Sequence, residues 1–523
     1  MQAIQVVHEY YQQENFSLWI VGGDEEDIAS VKHLILSVKS FAQIYEEGKI
    51  EFWGYVEPEG LAELYSRSLL VIVPSQFEQF GLIAPEAMAC GCPVVATDVG
   101  GLRDSVIPGV TGKLFPVGNF QQLACIILGY LRNPHLARYE GENAEFWSRR
   151  KFSIENIYRP LESALANQPI GHVGLSPKEE FAEFIYANLK EEIEAKLNID
   201  ITTHKPCSGN SQIAYMLTTN LGEKMCLKYF FDRPVSSVLY LEVSDEISLA
   251  SRCEQNVKKS EIMSLRGIGP QMILSNNPYI ITKWYQPYTS ELDVYMIKEL
   301  SNRLQKIGES ILSSKELTSF KESFPETFSI HQDDLAGQYD KIFKLNASLG
   351  GETPTFCDFH PFIELVNIRK QLLGNSYPIP LRKKEEMLVL IELYVTNFPF
   401  LYEDPSLAHG DIKPEHILLD DDRLILCDWE TLGFRCGPYD IASWYYKNKL
   451  GVQYGSVLEV MKETDGIHLD LQNKVLLLGW FISMSCHEFL TRYLRGQKYD
   501  EETQNIIFHT SPEAIYHLVK LFR

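Results

Sequence analysis

Short apolar runs alternate with longer amphipathic segments through the first third of the chain. The apolar runs read LWIVGG, IEFWGYV, LLVIVPS and PVVAT. Between them lie segments with helical spacing at 28–45, 59–67 and 84–90. This alternation is typical of βα units around a parallel sheet. Ligands bind beyond the carboxyl ends of such strands, which here are Gly22-Gly23, Gly54-Tyr55, Pro74-Ser75 and 97–101.

The loop that follows the third of these strands carries two spaced carboxylates. Glu78 and Glu86 stand eight residues apart and bracket Gly81 and Leu82, just before a predicted helix. A helix N-terminus and a glycine offer exposed N–H groups to a phosphate, and carboxylates accept hydrogen bonds from sugar hydroxyls. The pattern indicates a site for a sugar linked to a diphosphate. In the alternative interpretation, Glu86 is only favoured by the helix dipole and the glycines turn the chain.

The string PSQFEQFGLIAPEAMACGCPVVATDVGGLRD resembles the donor-binding domain of retaining GT-B glycosyltransferases. The resemblance implies that Glu78 addresses the transferred sugar, Glu86 the ribose, and Gly81 with Leu82 the diphosphate. It further implies that Gly54, in FWGYV, permits close approach of the base. The expected ligand is a UDP-, GDP- or ADP-sugar.

Members of that family carry their acceptor site on a complete domain N-terminal to the donor-binding domain. No such domain precedes Met1 in this sequence. We therefore expect either a separate partner chain that carries it or a truncated reading of the gene, and the sequence does not separate the two.

A second module follows a Pro- and Gly-containing boundary at 168–176, and it opens with a helix and three strand-like runs. The runs span 201–206, 212–219 and 224–230. Lys228 lies in the third run among apolar neighbours, where a cation is costly unless it meets phosphate or carboxylate. In the alternative interpretation, Lys228 lies on an edge strand and faces water.

Residues 409–430, HGDIKPEHILLDDDRLILCDWE, predict a loop, a strand, a tight turn and a second strand. A hairpin brings its two open ends together, so Asp411 and His416 are expected to face the same space as Asp428. Two carboxylates and an imidazole suit a metal-bound polyphosphate. The alternative is an Asp-rich hairpin between core strands with no chemical role.

These residues resemble the catalytic loop of the protein-kinase-like superfamily, in its aminoglycoside and choline phosphotransferase branch. The resemblance implies that Asp411 orients the attacking hydroxyl and that Asp428 binds Mg²⁺. His416 would complete the metal shell, at a position where the family usually has Asn. Lys413 stands where protein kinases commonly place a lysine that reaches the transferred phosphate.

The same resemblance extends to the strands that precede this loop. It implies that Ser208 and Gly209 form a turn over the phosphates of ATP, that Lys228 holds those phosphates, and that Glu261 pairs with Lys228. Asp440, in GPYDIASWYY, would stiffen the catalytic loop, cap a helix, or do both.

Composition and charge limit the binding partners and the cellular compartment that we expect for the protein. The chain has 523 residues, enough for two to four domains, and a formal charge of −22, which disfavours nucleic acid and anionic lipid surfaces. The longest apolar run, 475–486, is too short to span a bilayer. Ten scattered cysteines are most simply reduced thiols in a cytoplasm.

The predicted fold class is α/β, with a Rossmann-like parallel-sheet half of a GT-B glycosyltransferase followed by a two-lobed α+β protein-kinase-like domain. The predicted domains are 1–167, 177–290 and 291–523, with a linker at 168–176. We expect a phosphotransferase that uses ATP and Mg²⁺ and acts on a hydroxyl of a small molecule, with a sugar or glycoside among the candidate acceptors, fused to a donor-binding domain of the retaining glycosyltransferase type. No nucleic-acid partner and no transmembrane segment are expected. Two alternatives stay open: a glycosyltransferase whose acceptor domain another chain supplies, and a non-catalytic nucleotide-binding protein.

Overall fold

The structure is a computed structural model that divides into two compact units, each described here by itself. The first is mainly Met1–Glu191, and the second is built from Glu192–Gly374, Ile379–Arg492 and Lys498–Arg523. The residues that the structure describes are 1–11, 16–132, 134–156, 158, 176–207, 213–230, 252–290, 292–312, 360–374, 379–398, 400–401, 403–421, 423–450, 456–494 and 501–522.

The first unit alternates strands and helices, as its apolar pattern predicts. Its strands are β1 (Leu18–Val21), β2 (Ile50–Gly54), β3 (Val71–Val73), β4 (Val94–Thr97) and β5 (Gly112–Phe115). Its helices are α1 (Gln2–Tyr10), α2 (Glu25–Leu36), α3 (Lys39–Glu46), α4 (Pro58–Arg67), α5 (Ile83–Ala89), α6 (Leu102–Ser105), α7 (Phe120–Arg132), α8 (Pro134–Lys151) and α9 (Pro177–Leu197), the last of which continues into the second unit.

All strand pairs described in the first unit are parallel. β1 pairs with β2, and β4 lies between β3 and β5. The carboxyl ends of paired strands therefore share an edge. Val21 pairs with Gly54 at one edge, and the Thr97 hydroxyl donates a 2.5 Å hydrogen bond to the Ser75 carbonyl at the other.

Two helices occupy the segment 28–45, where the sequence predicts a continuous one. Val38 is extended, with φ −115° and ψ 116°, so α2 ends before it and α3 begins after it. The Ser37 hydroxyl donates to the Leu34 carbonyl at 2.7 Å and satisfies a free carbonyl at the end of α2. No glycine or proline marks this break in the sequence.

The second unit opens with an antiparallel sheet and continues mainly with helices. The sheet order is β6-β7-β8-β10-β9. Its strands are β6 (Ile201–Cys207), β7 (Ile213–Thr219), β8 (Lys224–Tyr229), β9 (Met272–Asn276) and β10 (Tyr279–Lys283), with helix α10 (Arg252–Leu265) between β8 and β9. The later elements are β11 (Gln286–Pro287), α11 (Val294–Ile311), α12 (Pro361–Leu373), α13 (Leu381–Asn397), β12 (Ser406–Ala408), β13 (Ile417–Asp420), β14 (Arg423–Leu426), β15 (Gly433–Arg435), α14 (Tyr439–Tyr445), a π-helical segment (Tyr446–Leu450), α15 (Val457–Glu463), α16 (Leu471–Leu494) and α17 (Glu501–Phe522).

β13 and β14 form the predicted hairpin. Ile417 pairs with Leu426, and Asp420 pairs with Arg423 at the turn. Asp421 adopts a left-handed conformation there (φ 53°), which Asp tolerates better than most residues. Period-2 alternation fixes the register, because a slip of one residue would turn Ile417 and Leu426, both fully buried, toward solvent. The hairpin thereby holds the loops before β13 and after β14 side by side.

Among the residues that the structure describes, every helix is too short or too polar to cross a lipid bilayer. The cysteines in this part of the chain are all free thiols.

Candidate active site

His416 joins the two open ends of the hairpin. Its Nδ1 lies 2.6 Å from the backbone carbonyl oxygen of Asp411, and its Nε2 lies 3.2 Å from Oδ2 of Asp428. A carbonyl oxygen only accepts, so Nδ1 carries a proton and donates it. Nε2 is then the nitrogen that faces the carboxylate. The structure therefore brings Asp411, His416 and Asp428 together, as the hairpin predicts.

Lys228 reaches the same place from β8. Its Nζ lies 2.9 Å from Oδ1 of Asp428, 200 positions further along the chain. β8 lies between β7 and β10, so Lys228 is on the central strand of the sheet, and the alternative of an edge-strand lysine in water is wrong. The two side chains are only 18% and 22% exposed.

Pairing decides the charge state of these two groups. Burial by itself raises the pKa of Asp428, but the Lys228 ammonium and the His416 ring hold it well below its usual range. Burial likewise lowers the pKa of Lys228, and the Asp428 carboxylate outweighs burial and raises it. Both groups are therefore ionised at neutral pH. Removal of either partner alone would leave the other as an uncompensated buried charge, which is strongly destabilising.

Asp428 has a strained backbone. Its φ is 71° and its ψ 67°, in the left-handed region that costs a non-glycine residue about 1–2 kcal/mol. Strain of this kind is concentrated at functional sites. A short 3₁₀ turn, Trp429–Thr431, follows immediately. The conformation lets β14 end and still present the Asp428 carboxylate to both Lys228 and His416.

Two lysines contact the Asp411 carboxylate. Lys413 Nζ lies 2.8 Å from Oδ2, and Lys447 contacts Oδ1. Lys413 was predicted at this site from the sequence, whereas Lys447 was missed. The sequence gives no signal for Lys447, because it lies in the π-helical segment, where α-helical spacing from Asp440 does not hold.

Asp440 fixes the backbone ahead of Asp411. Its Oδ2 and Oδ1 accept hydrogen bonds from the backbone N–H groups of His409, at 3.0 Å, and of Gly410, at 2.8 Å. Gly410 has φ +88°, and a Cβ there would lie 2.6 Å from the Thr431 carbonyl oxygen. The Thr431 hydroxyl donates to the His409 carbonyl at 2.8 Å. The expected loop-stiffening contact of Asp440 is therefore present.

His409 is a buried structural imidazole. Its Nδ1 accepts from the Asp411 backbone N–H at 3.3 Å, and its Nε2 donates to the Cys427 carbonyl at 2.9 Å. Both ring nitrogens are used by the neutral form. Burial lowers the pKa of His409 to about 3. His360 repeats the arrangement at the start of α12, and burial lowers its pKa to about 4.

These two histidines predict that the second unit loses stability on mild acidification. Below an ordinary pKa of 6.5 the unfolded chain takes up two protons that the folded chain does not. The free energy of unfolding should therefore fall as pH drops, by about 1.4 kcal/mol per histidine at pH 5.5. Urea unfolding of the full chain at pH 7.5 and 5.5 measures this. His360→Asn keeps a helix-capping side chain and should remove about half of the fall, whereas His468→Asn at an exposed site should not. An equal fall in all three proteins would contradict the assignment.

Two predicted site residues need separate comment. Glu261 does not pair with Lys228, whose ion-pair partner is Asp428. The inward face of α10 is formed by Cys253, Val257, Ser260 and Met263, and Glu261 lies beside that face and is only half-buried. The structure thus corrects the predicted partner of Lys228. Ser208 and Gly209 lie outside the described residues.

The pair Asp428 and His416 fits a cation that is shared with a polyphosphate. Within the described ranges, no cluster of three or more His, Cys, Asp or Glu side chains forms a ready metal site. Mg²⁺ usually takes one or two carboxylates and completes its shell with phosphate oxygens and water. Asp428 offers one carboxylate. His416 could add Nε2 only after this nitrogen gives up the proton that it donates to Asp428, because Nδ1 already donates to the Asp411 carbonyl.

In the first unit, the predicted donor residues lie at the carboxyl ends of the parallel strands. Gly54 ends β2 with φ +61°, and its carbonyl accepts from the Gly22 N–H at 2.6 Å. Gly81 has φ +76°, a conformation that side chains disfavour, and a Cβ there would lie 2.7 Å from Leu102 Cδ2, so a side chain would force Leu102 to shift. The loop keeps its shape because the Glu78 carbonyl accepts from the Gly101 N–H at 3.3 Å.

The remaining two predicted residues face outward. Leu82 is 62% exposed and immediately precedes α5. Glu86 is exposed on the first turn of α5, near Tyr65, and burial together with the Glu86 charge raises the pKa of Tyr65 to about 12. The side chains of Glu86 and Leu82 are thus available to a ligand at this edge.

Comparison with known proteins assigns the N-terminal part of the chain. Residues 1–147 match the family of glycosyl transferases group 1, so this part is a domain of that family. An uncharacterised glycosyltransferase of Methanocaldococcus jannaschii is 36% identical over 122 residues, 23% of this chain and 34% of that protein. A D-inositol 3-phosphate glycosyltransferase of Frankia alni is 48% identical over 112 residues, 20% of this chain and 28% of that protein. The chain thus spans about a third of the length of these relatives.

A solved structure that is similar over most of the chain is an ethanolamine kinase of Plasmodium vivax. It is 11% identical, with a TM-score of 0.38, and the match covers 69% of this chain and 96% of that one. The N-terminal part has the predicted parallel α/β sheets, and an α+β unit that opens with a five-stranded antiparallel sheet follows it, as predicted.

Proposed function

We propose that the second unit is a phosphotransferase that moves the γ-phosphoryl group of ATP to a hydroxyl of a small molecule. One observation carries this proposal: Lys228, Asp428, His416 and Asp411 form an unbroken chain of polar contacts at the end of the hairpin. These residues come from a strand and two loops that are distant in sequence. A hairpin with no chemical role would not require these four residues to lie together.

The position of each residue indicates its role in the proposed phosphoryl transfer. Asp411 would accept the hydrogen bond of the attacking hydroxyl and take its proton as the bond to phosphorus forms. Lys413, 2.8 Å from that carboxylate, would neutralise the charge that develops on the transferred group. Lys228 would hold the phosphates of ATP, an anionic partner that justifies a cation on a buried strand. Asp440 would keep the Asp411 loop rigid through its two backbone hydrogen bonds.

Asp428 and His416 would hold Mg²⁺. When bound, the ion would offset the negative charge of the phosphates. Asp428 is suited to this task because Lys228 and His416 keep it ionised despite its burial.

The non-catalytic alternative is less well supported. Taking two charges out of water is costly, and a buried ion pair is often no more stable than an apolar pair of the same volume. A protein that only needed a fold here could use apolar residues in place of Lys228 and Asp428. Release of label from γ-labelled ATP by the full chain, with and without Mg²⁺, tests the proposal.

We propose further that the first unit binds a nucleotide sugar at the carboxyl edge of its strands. The relatives that it matches are glycosyltransferases by name, and one is named for D-inositol 3-phosphate. Glu86 would accept hydrogen bonds from the ribose and Glu78 from the sugar, with Gly81 and Leu82 at the diphosphate and Gly54 beside the base. A phosphorylated or glycosylated polyol is accordingly a reasonable class of product.

The donor proposal predicts an effect of Glu86→Gln on nucleotide-sugar binding. A hydrogen bond to a charged group contributes about 1.5–3 kcal/mol, so the affinity should fall about 10- to 100-fold. Calorimetric titration of the full chain with UDP-, GDP- and ADP-glucose measures it. The matched control is Glu142→Gln, an exposed glutamate paired with Arg138 on α8. Equal binding by both variants and the wild type would refute the assignment of Glu86.

A further inference from the structure

Both oxygens of the Asp411 carboxylate are occupied by lysines. Lys413 contacts Oδ2 at 2.8 Å and Lys447 contacts Oδ1. A general base must lie about 2.6–3.2 Å from the hydroxyl that it deprotonates. A carboxylate oxygen can accept more than one hydrogen bond, but an ammonium group on each oxygen makes Asp411 a weaker base, so loss of one of these contacts would favour proton transfer from a hydroxyl.

Lys447 is the lysine that comes from a separate element. Lys413 belongs to the same loop as Asp411, two residues away, and in the proposed reaction it serves the transferred phosphate. Lys447 reaches in from the π-helical segment Tyr446–Leu450, and such segments are frequent at functional sites. Its side chain is 34% exposed, so it has solvent-accessible space into which it can turn.

The segment that carries Lys447 is anchored on both sides of it. The Tyr446 hydroxyl donates to Glu488 Oε2 at 2.6 Å, and the Asn448 amide donates to the Trp444 carbonyl at 2.9 Å. The lysine backbone is thus held in place, and the change that frees Asp411 is a rotation of the Lys447 side chain. A lysine that leaves one carboxylate is stabilised in its new position by another anion.

The charges of the site favour an incoming anion. Three ammonium groups, those of Lys228, Lys413 and Lys447, contact two carboxylates. Other carboxylates of the site have different surroundings: Asp440 is held by the backbone N–H groups of His409 and Gly410, so the ammonium groups that line Asp411 are the cations an incoming anion would meet. The Lys447 charge also helps to lower the pKa of His409, which lies two residues before Asp411. Burial and the His416 charge have larger effects on that pKa.

We propose that Lys447 is the residue that recognises the acceptor, and that the acceptor is a hydroxyl compound with an anionic group, a carboxylate or a phosphate. On binding, the anion forms an ion pair with Lys447. The Lys447 side chain then leaves Asp411, and Oδ1 becomes accessible to the hydroxyl. The inference rests on the proposed phosphotransferase function and adds the class of acceptor.

Anion binding tests the inference without an identified acceptor. The probes are inorganic phosphate and acetate, titrated by calorimetry into the full chain in the presence of a saturating non-hydrolysable ATP analogue and Mg²⁺. Lys447→Met should weaken binding of the preferred anion about 10-fold or more. Lys447→Arg should largely restore it. Asp411→Asn should strengthen it, because the competing carboxylate is gone. Lys462→Met, at an exposed position on α15, serves as the control.

The outcomes separate the inference from the function on which it rests. Equal anion binding by wild type and Lys447→Met, or no binding of either anion by wild type and Asp411→Asn, overturns the inference. Acetate binding without phosphate binding selects a carboxylate acceptor, and the reverse selects a phosphorylated one. Label release from γ-labelled ATP is measured on the same proteins. Label transfer needs a hydroxyl to receive the phosphoryl group, so hydroxy acids and polyol phosphates are added to this assay. Lys447-dependent anion binding in a protein that releases no label with any of them overturns the phosphotransferase proposal and leaves Lys447 as an anion site.

Discussion

Replacement of Asp411 by asparagine should abolish most phosphoryl transfer and leave ATP binding nearly unchanged. The amide cannot take the hydroxyl proton, and the loss of a general base lowers rates about 10²- to 10⁴-fold. The side-chain volume is retained, and the backbone around it is held by Asp440 and His409. The measurement is the rate of ADP formation at saturating ATP, beside the dissociation constant for ATP.

Asp421→Asn is the matched control for that variant. It makes the same chemical change in the same hairpin, at the turn far from the open end, where the left-handed conformation (φ 53°) accepts Asn as well as Asp. Its rate should match the wild type. Equal rates for Asp411→Asn and Asp421→Asn would exclude Asp411 as the base.

Replacement of Lys228 by methionine should damage both stability and activity. The Asp428 carboxylate would remain buried without its main partner, and breaking a buried pair in this way costs about 3–5 kcal/mol. Exposure of about a fifth of each side chain places the expected loss near the lower end. Activity should fall about 10²- to 10³-fold, as for loss of a charged group that stabilises the transition state.

The double variant Lys228→Met with Asp428→Asn distinguishes the two effects. The double variant has no carboxylate left buried without a partner, so most of the lost free energy of unfolding should return. Phosphoryl transfer should stay absent. The Lys228→Met defect in stability should also shrink as pH falls through about 4. The unfolded chain takes up a proton at Asp428 there, which the native pair resists, whereas the buried carboxylate without its lysine is protonated readily. Urea unfolding of the four proteins of the cycle measures the coupling. Additive losses in the double variant would show that the two residues do not form a pair in solution.

The hairpin could be predicted from the sequence because its signals are local. Alternating apolar residues on both sides of an Asp-rich turn fix the strands and their register, and the register fixes which loops meet. The contact between Lys228 and Asp428 could not be predicted from local signals. No local signal joins residues 200 positions apart, and only the order of the motifs along the chain suggested it.

The error at Glu261 has a physical cause. Helical phase is normally read from an apolar stripe, but the buried side of α10 includes polar residues such as Gln255, Asn256 and Lys259. The apolar stripe is therefore hard to recognise, and the resemblance from which Glu261 was chosen does not fix which side of α10 faces Lys228. Lys447 was missed because it follows the recognised motif in a segment whose π-helical geometry the sequence does not announce.

The proposed function has Asp428 and His416 hold a divalent ion on the phosphates of ATP, beside Lys228. Electron paramagnetic resonance of Mn²⁺, titrated into the full chain with and without ATP, counts the bound ion directly. The account predicts weak Mn²⁺ binding to the protein alone, tight binding once ATP is added, and loss of that gain in Asp428→Asn. ATP binding that is indifferent to the ion, with Asp428→Asn equal to the wild type, would contradict it.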